Sequence, residues 1–214
     1  MTLLYAERPA VGPAQGLLVL HHGRGADERD LLPLADVLDP RGRLHVVAPR
    51  APLAPPGAGY HWYLVPQVGT PDPETFNAAF AELAELHDQL WQQTGLGPER
   101  TVLGGFSMGA VMSYALGLGP GRPRPAGILA FSGFLPTVPG WEPDLETRAR
   151  LPVLVAHGTN DAVIDVSFGR SAADRLRAAG LDVEYRESAA GHHIDPRELP
   201  DAEAWVRRTL PVLA

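Results

Sequence analysis

Short unbroken apolar runs alternate along the chain with longer stretches in which apolar residues recur every three or four positions. Unbroken runs suit strands buried on both faces, and periodic stretches suit helices laid over them. The rhythm therefore predicts a largely parallel sheet covered by helices. Residues 17–22, 44–48, 101–106, 127–132, 152–157 and 183–187 are the predicted strands, and residues 2–7 add an antiparallel edge strand. The best-marked helix spans 73–94. Asp72 suits its cap, Pro73 its first helical position and Gly95 its stop, while Phe76, Phe80, Leu83, Leu86 and Leu90 fall on one face. Further helices are predicted at 30–38 with Pro33 in the first turn, directly after Ser107, at 167–179 and at 202–210. No repeat or low-complexity linker divides the 214 residues, which read as one domain. One segment breaks the rhythm. Residues 49–73 are rich in Pro and Gly and carry His61-Trp62-Tyr63 at their middle. A loop this long inside a compact domain is more often functional than idle. Its aromatics either line a substrate pocket, Trp62 being the candidate, or anchor the loop to the body.

Composition narrows the chemistry. A formal charge of −7 argues against a nucleic-acid partner, and no apolar run approaches the length of a membrane span. The N-terminus lacks a basic region followed by an apolar stretch and a cleavage site, so a cytoplasmic protein is the expectation. All 18 basic residues are arginine, which excludes a Walker-type phosphate loop and Schiff-base chemistry. Cysteine is absent too, so disulfides, a thiolate nucleophile and sulfur-ligated zinc are out of reach. No cofactor or metal is expected.

The sharpest signal is Gly105-Phe106-Ser107-Met108-Gly109, directly after the predicted strand 101–106 and before an apolar helix containing Val111, Met112 and Tyr114. A strand that turns abruptly into a helix holds its corner residue in a strained conformation with the hydroxyl exposed above the sheet. The helix start also aims free N–H groups at that corner, favouring negative charge there. Such a serine suits acyl transfer. It needs a histidine to take its proton and a carboxylate to orient that histidine, expected in the chain order serine, acid, histidine. Asp161 follows the predicted strand 152–157, with Asp165 as competitor, and His157 reads as structural. His192 follows Gly191 directly and is the chosen base, with His193 as alternative. The run Leu18-Val19-Leu20-His21-His22-Gly23-Arg24-Gly25 ends a strand in a glycine-containing turn. Main-chain N–H groups of Arg24 and Met108 are the predicted oxyanion donors, with His21 and His22 bracing the loop.

With these residues in view, the chain resembles the phospholipase/carboxylesterase branch of the α/β-hydrolases, which includes acyl-protein thioesterases and small bacterial carboxylesterases. The segment from His22-Gly23-Arg24-Gly25 to Leu34-Ala35 is similar to that family's oxyanion loop. Gly104 to Ala110 resembles its nucleophile elbow, His157-Gly158-Thr159-Asn160-Asp161 its acid loop and Gly191-His192 its histidine loop. The resemblance implies an α/β-hydrolase fold, a mostly parallel sheet with helices on both faces, and favours His192 over His193. It departs in two places. The family usually has an acidic residue where His193 stands, and the stretches around Trp62 and from Phe134 to Trp141 match no one member. Trp62, Phe134 and Leu135 are the expected substrate-binding side chains.

The expected activity is hydrolysis of short- to medium-chain carboxylic esters through an acyl-enzyme. Thioester or lysophospholipid cleavage with the same triad is the alternative, and a catalytically silent binding protein on this fold the other. The expected partner is a small-molecule ester, with no stable membrane insertion and a monomeric or homodimeric state. A histidine base also predicts activity that falls below about pH 6.

Overall fold

The computed structural model of the protein describes residues 3–57 and 59–212. Its centre is a seven-stranded sheet formed by β1 (Tyr5–Arg8), β2 (Leu17–His21), β3 (His45–Pro49), β4 (Thr101–Phe106), β5 (Gly127–Phe131), β6 (Pro152–Gly158) and β7 (Asp182–Ser188). The spatial order is β1-β3-β2-β4-β5-β6-β7. Only β1 runs antiparallel, pairing Tyr5 with Pro49 and Arg8 with Val46. It is the predicted edge strand, shifted toward its C-terminal end; Thr2, where that expectation began, lies outside the described residues.

The helices are α1 (Leu34–Leu38), α2 (Pro73–Thr94), α3 (Met108–Leu118), α4 (Val166–Ala178) and α5 (Leu199–Thr209). Alternate residues of each central strand feed opposite cores. Leu17, Val19, Leu103, Ile128, Val153 and Val155 join one core with α2, α3 and α4. Leu18, Leu20, Val102, Leu129 and Leu154 join the other with α1 and α5. Burial on both faces explains why these strands read as unbroken apolar runs rather than alternating ones.

Helix α2 has the predicted ends. Asp72 accepts a hydrogen bond from Thr75 N at 2.9 Å, and Gly95 closes the helix in the left-handed region at φ 68°. Its buried stripe runs through Phe76, Ala79, Leu83, Leu86, His87 and Leu90, while Phe80 stays half-buried at the edge. Helix α1 begins four residues later than its pattern suggests. Leu34 N and Ala35 N bond to the carbonyls of Leu31 and Leu32, three residues back, so this stretch forms tight turns before the helix starts. Helix α5 starts three residues early, entered through a turn in which Asp195 accepts from Arg197 N at 3.0 Å.

Candidate active site

At the C-terminal ends of the parallel strands, three loops meet. Strand β4 turns directly into α3 at Ser107, whose φ of 56° and ψ of −120° place it in a region that non-glycine residues avoid. Holding it there costs about 1–3 kcal/mol, so the surroundings must over-determine it. Ser107 N donates to Phe131 O at 2.8 Å, and Val111 N donates to Ser107 O at 3.2 Å. The two motif glycines are steric requirements. A Cβ on Gly105 would overlap the Gly109 backbone, and one on Gly109 would overlap the His21 carbonyl.

His192, in the loop after β7, bridges to Ser107. Its Nε2 lies 2.9 Å from Ser107 Oγ, and its Nδ1 lies 2.7 Å from Asp161 Oδ2. An ionised carboxylate only accepts, so Nδ1 carries the proton and Nε2 is left to accept from the serine. Asp161 is fully buried as a side chain. Its other oxygen accepts from Val163 N at 2.9 Å and Ile164 N at 2.8 Å. Burial raises the Asp161 carboxyl, but the bonds from His192 and these two amides outweigh it, and the net shift is downward. Asp161 is therefore held as the anion that a neighbouring imidazole requires.

The supporting shell fixes this geometry. His157 Nε2 donates to Ile164 O at 2.8 Å beneath the Asp161 turn, in the structural role expected of it. Thr159 N and Asn160 N donate to Ser188 O and Ala190 O, joining the Asp161 loop to the His192 loop. The Phe106 ring lies 4.9 Å from the His192 ring. The competing residues point elsewhere. Asp165 caps α4 through Ser167 N at 2.9 Å, and His193 is exposed.

Arg24 and Met108 line the same cavity as Ser107. Met108 opens α3, where its N–H has no carbonyl one turn back to bond. In the loop after β2, the turn bonds run from Gly25 N to Tyr60 O and from Ala26 N to Gly23 O, leaving the Arg24 amide outside them. The bracing role expected of His21 and His22 is explicit. His22 Nδ1 donates to Gly23 O at 2.7 Å, and its Nε2 accepts from Ala51 N at 3.1 Å. Burial, its largest influence, holds the His22 pKa below its ordinary value, in keeping with that neutral tautomer. His21 Nδ1 donates to Gly104 O and Ser113 Oγ, while Ser113 Oγ donates to Gly109 O, tying β2 to both sides of the elbow.

The substrate-side expectations fare unevenly. Phe134 lines the cavity. Trp62 does not, and that expectation is corrected. It is fully buried, its Nε1 donates to His22 O at 2.9 Å, and its ring packs beside those of His21 and His22. The loop aromatic that reaches the cavity is its neighbour Tyr63. Leu135 is likewise outside the lining and packs half-buried against the core. Val65, Val68, Val163 and Ile164 complete the walls. Sequence reading missed them because they come from loops with no periodic signal. The position of Val163 and Ile164, two and three residues after Asp161, was the available clue. No group of three or more His, Asp or Glu residues is arranged to hold a metal ion among the described residues.

A mostly parallel sheet with helices on both faces, whose central strand ends in a strained serine elbow, defines an α/β-hydrolase fold. The chain belongs to the phospholipase/carboxylesterase family, a family of ester hydrolases, whose model matches residues 8–210. Among solved structures it is similar to esterase PE8, at 34% identity and a TM-score of 0.85, covering 98% of this chain and 100% of that one. It is 29% identical to esterase YpfH of Escherichia coli over 205 residues, 93% of this chain and 85% of that protein. It is 33% identical to acyl-protein thioesterase 1 of Gibberella zeae over 132 residues, 59% of this chain and 56% of that protein's length.

Proposed function

We propose that the protein is a serine carboxylesterase that hydrolyses short- to medium-chain esters through an acyl-enzyme, with Ser107 as nucleophile, His192 as base and Asp161 as its orienting acid. The observation that carries the reading is the pair of hydrogen bonds at His192, 2.9 Å to Ser107 Oγ and 2.7 Å to Asp161 Oδ2.

In this scheme His192 Nε2 takes the Ser107 proton as Oγ bonds to the acyl carbon. Asp161 remains ionised and stabilises the imidazolium. The carbonyl oxygen, now an oxyanion, accepts from the main-chain N–H groups of Arg24 and Met108, donors of a kind worth on the order of 100-fold or more in rate. His192 then gives its proton to the leaving oxygen as the C–O bond breaks. A water attacks the acyl-enzyme with His192 again as base, which releases the carboxylic acid and restores Ser107.

A fluorophosphonate probe tests the assignment directly. The native protein should be labelled at Ser107, read by peptide mass, with no labelling of Ser107→Ala or of the unfolded chain. Native protein that resists the probe would instead be a binding protein on this fold. Thioester cleavage is the second reading, favoured by the similarity to a protein named acyl-protein thioesterase 1. It uses the same attack and differs in the leaving atom.

A further inference from the structure

Two cavities adjoin the hydrogen-bonded pair, one at Ser107 and the other at His192. The first contains Ser107, Arg24 and Met108 but not His192. The second contains His192 and His193 but not Ser107. If His192 delivers a proton to the leaving oxygen, the leaving group must lie against the imidazole and the acyl chain must extend away from it. The first cavity is then the acyl site and the second the alcohol site.

Their sizes are unequal. The acyl side measures about 60 Å³, room for roughly four to six water-sized groups. Its inner walls are the buried side chains of Tyr63, Phe134 and Ile164. Phe134 is backed in turn by Phe168 on α4, with ring centroids 5.5 Å apart. The partly exposed Val68 and Val163 form the rim, so a longer chain would run out over solvent-facing surface. The alcohol side measures about 240 Å³ and is an open cleft whose walls are mainly apolar, Leu31, Pro33, Leu34, Phe106 and Ile194, with Asp30 also in the lining.

Resting on the esterase reading above, we propose that the substrates combine a small acyl group, of up to about six carbons, with a bulky apolar alcohol, and that Phe134 sets the acyl limit. Each methylene received by a buried apolar wall is worth roughly fourfold in kcat/KM, a gain that stops where the wall stops. Long acyl chains such as palmitoyl fall outside this limit.

The test is kcat/KM for p-nitrophenyl esters from acetate to decanoate, below their micellar concentrations, followed by ethyl, hexyl and 2-cyclohexylethyl butyrates. The wild type should favour butyrate or hexanoate over decanoate by at least about tenfold, and activity should rise with alcohol size. Phe134→Ala, checked for folding by circular dichroism, should raise the decanoate-to-butyrate ratio at least about fivefold by opening the wall toward Phe168. If that variant fails to fold, Phe134→Leu is read in the same way with a smaller shift. Equal activity on decanoate and butyrate, or an unmoved profile in the folded variant, overturns the acyl limit while leaving the esterase reading intact. A fall in activity with alcohol size overturns the assignment of the cleft. A protein that hydrolyses none of these esters overturns both readings.

Discussion

At the scale of single residues, the site depends on which imidazole nitrogen holds a proton. Asp161 is acceptor-only while ionised, and its lowered pKa keeps it so. An amide in its place would offer N–H to Nδ1 and stabilise the opposite tautomer, leaving Nε2 protonated against Ser107. Asp161→Asn should therefore cost about 10⁴-fold in kcat with little change in fold. Ester hydrolysis together with a circular dichroism melt checks this, and a loss of less than tenfold would remove Asp161 from the proposed mechanism. The residue scale is also where the sequence spoke most clearly. Of the proposed site residues, Ser107 and Asp161 were each legible from a glycine-bearing turn after an apolar run, and His192 from the glycine directly before it. The walls Val65 and Val68 were not, because an apolar loop residue looks the same in sequence whether it faces a cavity or a core. Trp62 shows the converse: a prominent loop aromatic whose hydrogen bond goes to the His22 carbonyl underneath.

At the scale of elements, the loop after β3 holds the loop after β2 in place. Arg50 forms a two-bond ion pair with Glu28, both distances 2.6 Å, and its guanidinium lies 4.5 Å from the Tyr60 ring centroid. The Arg50 hydrogen bonds hold the Glu28 carboxyl down at about 2. Because the folded value lies below the ordinary 4.5, this stabilisation is fully present above about pH 4.5 and is lost as the pH falls toward 2. Glu28→Gln should cost about 2 kcal/mol at neutral pH. The gap between wild-type and variant urea midpoints should be narrower at pH 3 than at pH 7, and an equal gap at both would show that the ion pair contributes nothing. These sites rest on regular elements that the sequence located well. Their boundaries moved only where local bonding competed, as in the tight turns that delay α1.

For the whole molecule, the core on the α2 side carries polar groups that shape its response to acid. Burial lowers the His21 pKa to about 3 and places that of His87 well below its ordinary value. Their rings lie 5.5 Å apart, and the Nε2 atom of each is without a partner among the described residues. Both are neutral in the fold, whereas the unfolded chain takes up their protons near pH 6.5. Stability is thus intact above about pH 6.5 and falls as the pH drops below it, by up to about 1.4 kcal/mol per pH unit for each histidine. His87→Leu removes one of the two and should flatten that slope between pH 6 and pH 4, measured as urea midpoints across a pH series. A variant slope equal to that of the wild type would exclude His87 as a contributor.

The sequence alone determined the order of elements, the strained serine corner and the chain order of serine, acid and histidine, because each is written in contiguous residues whose spacing has a direct local consequence. Only the tertiary structure decided that Trp62 is a brace rather than a pocket wall, and that a small cavity reaches Ser107 while a separate open cleft reaches His192. These depend on residues well separated along the chain, 40 positions for Trp62 and His22, being brought together by the fold. Distance across the end of a twisted parallel sheet leaves no periodic trace along the chain.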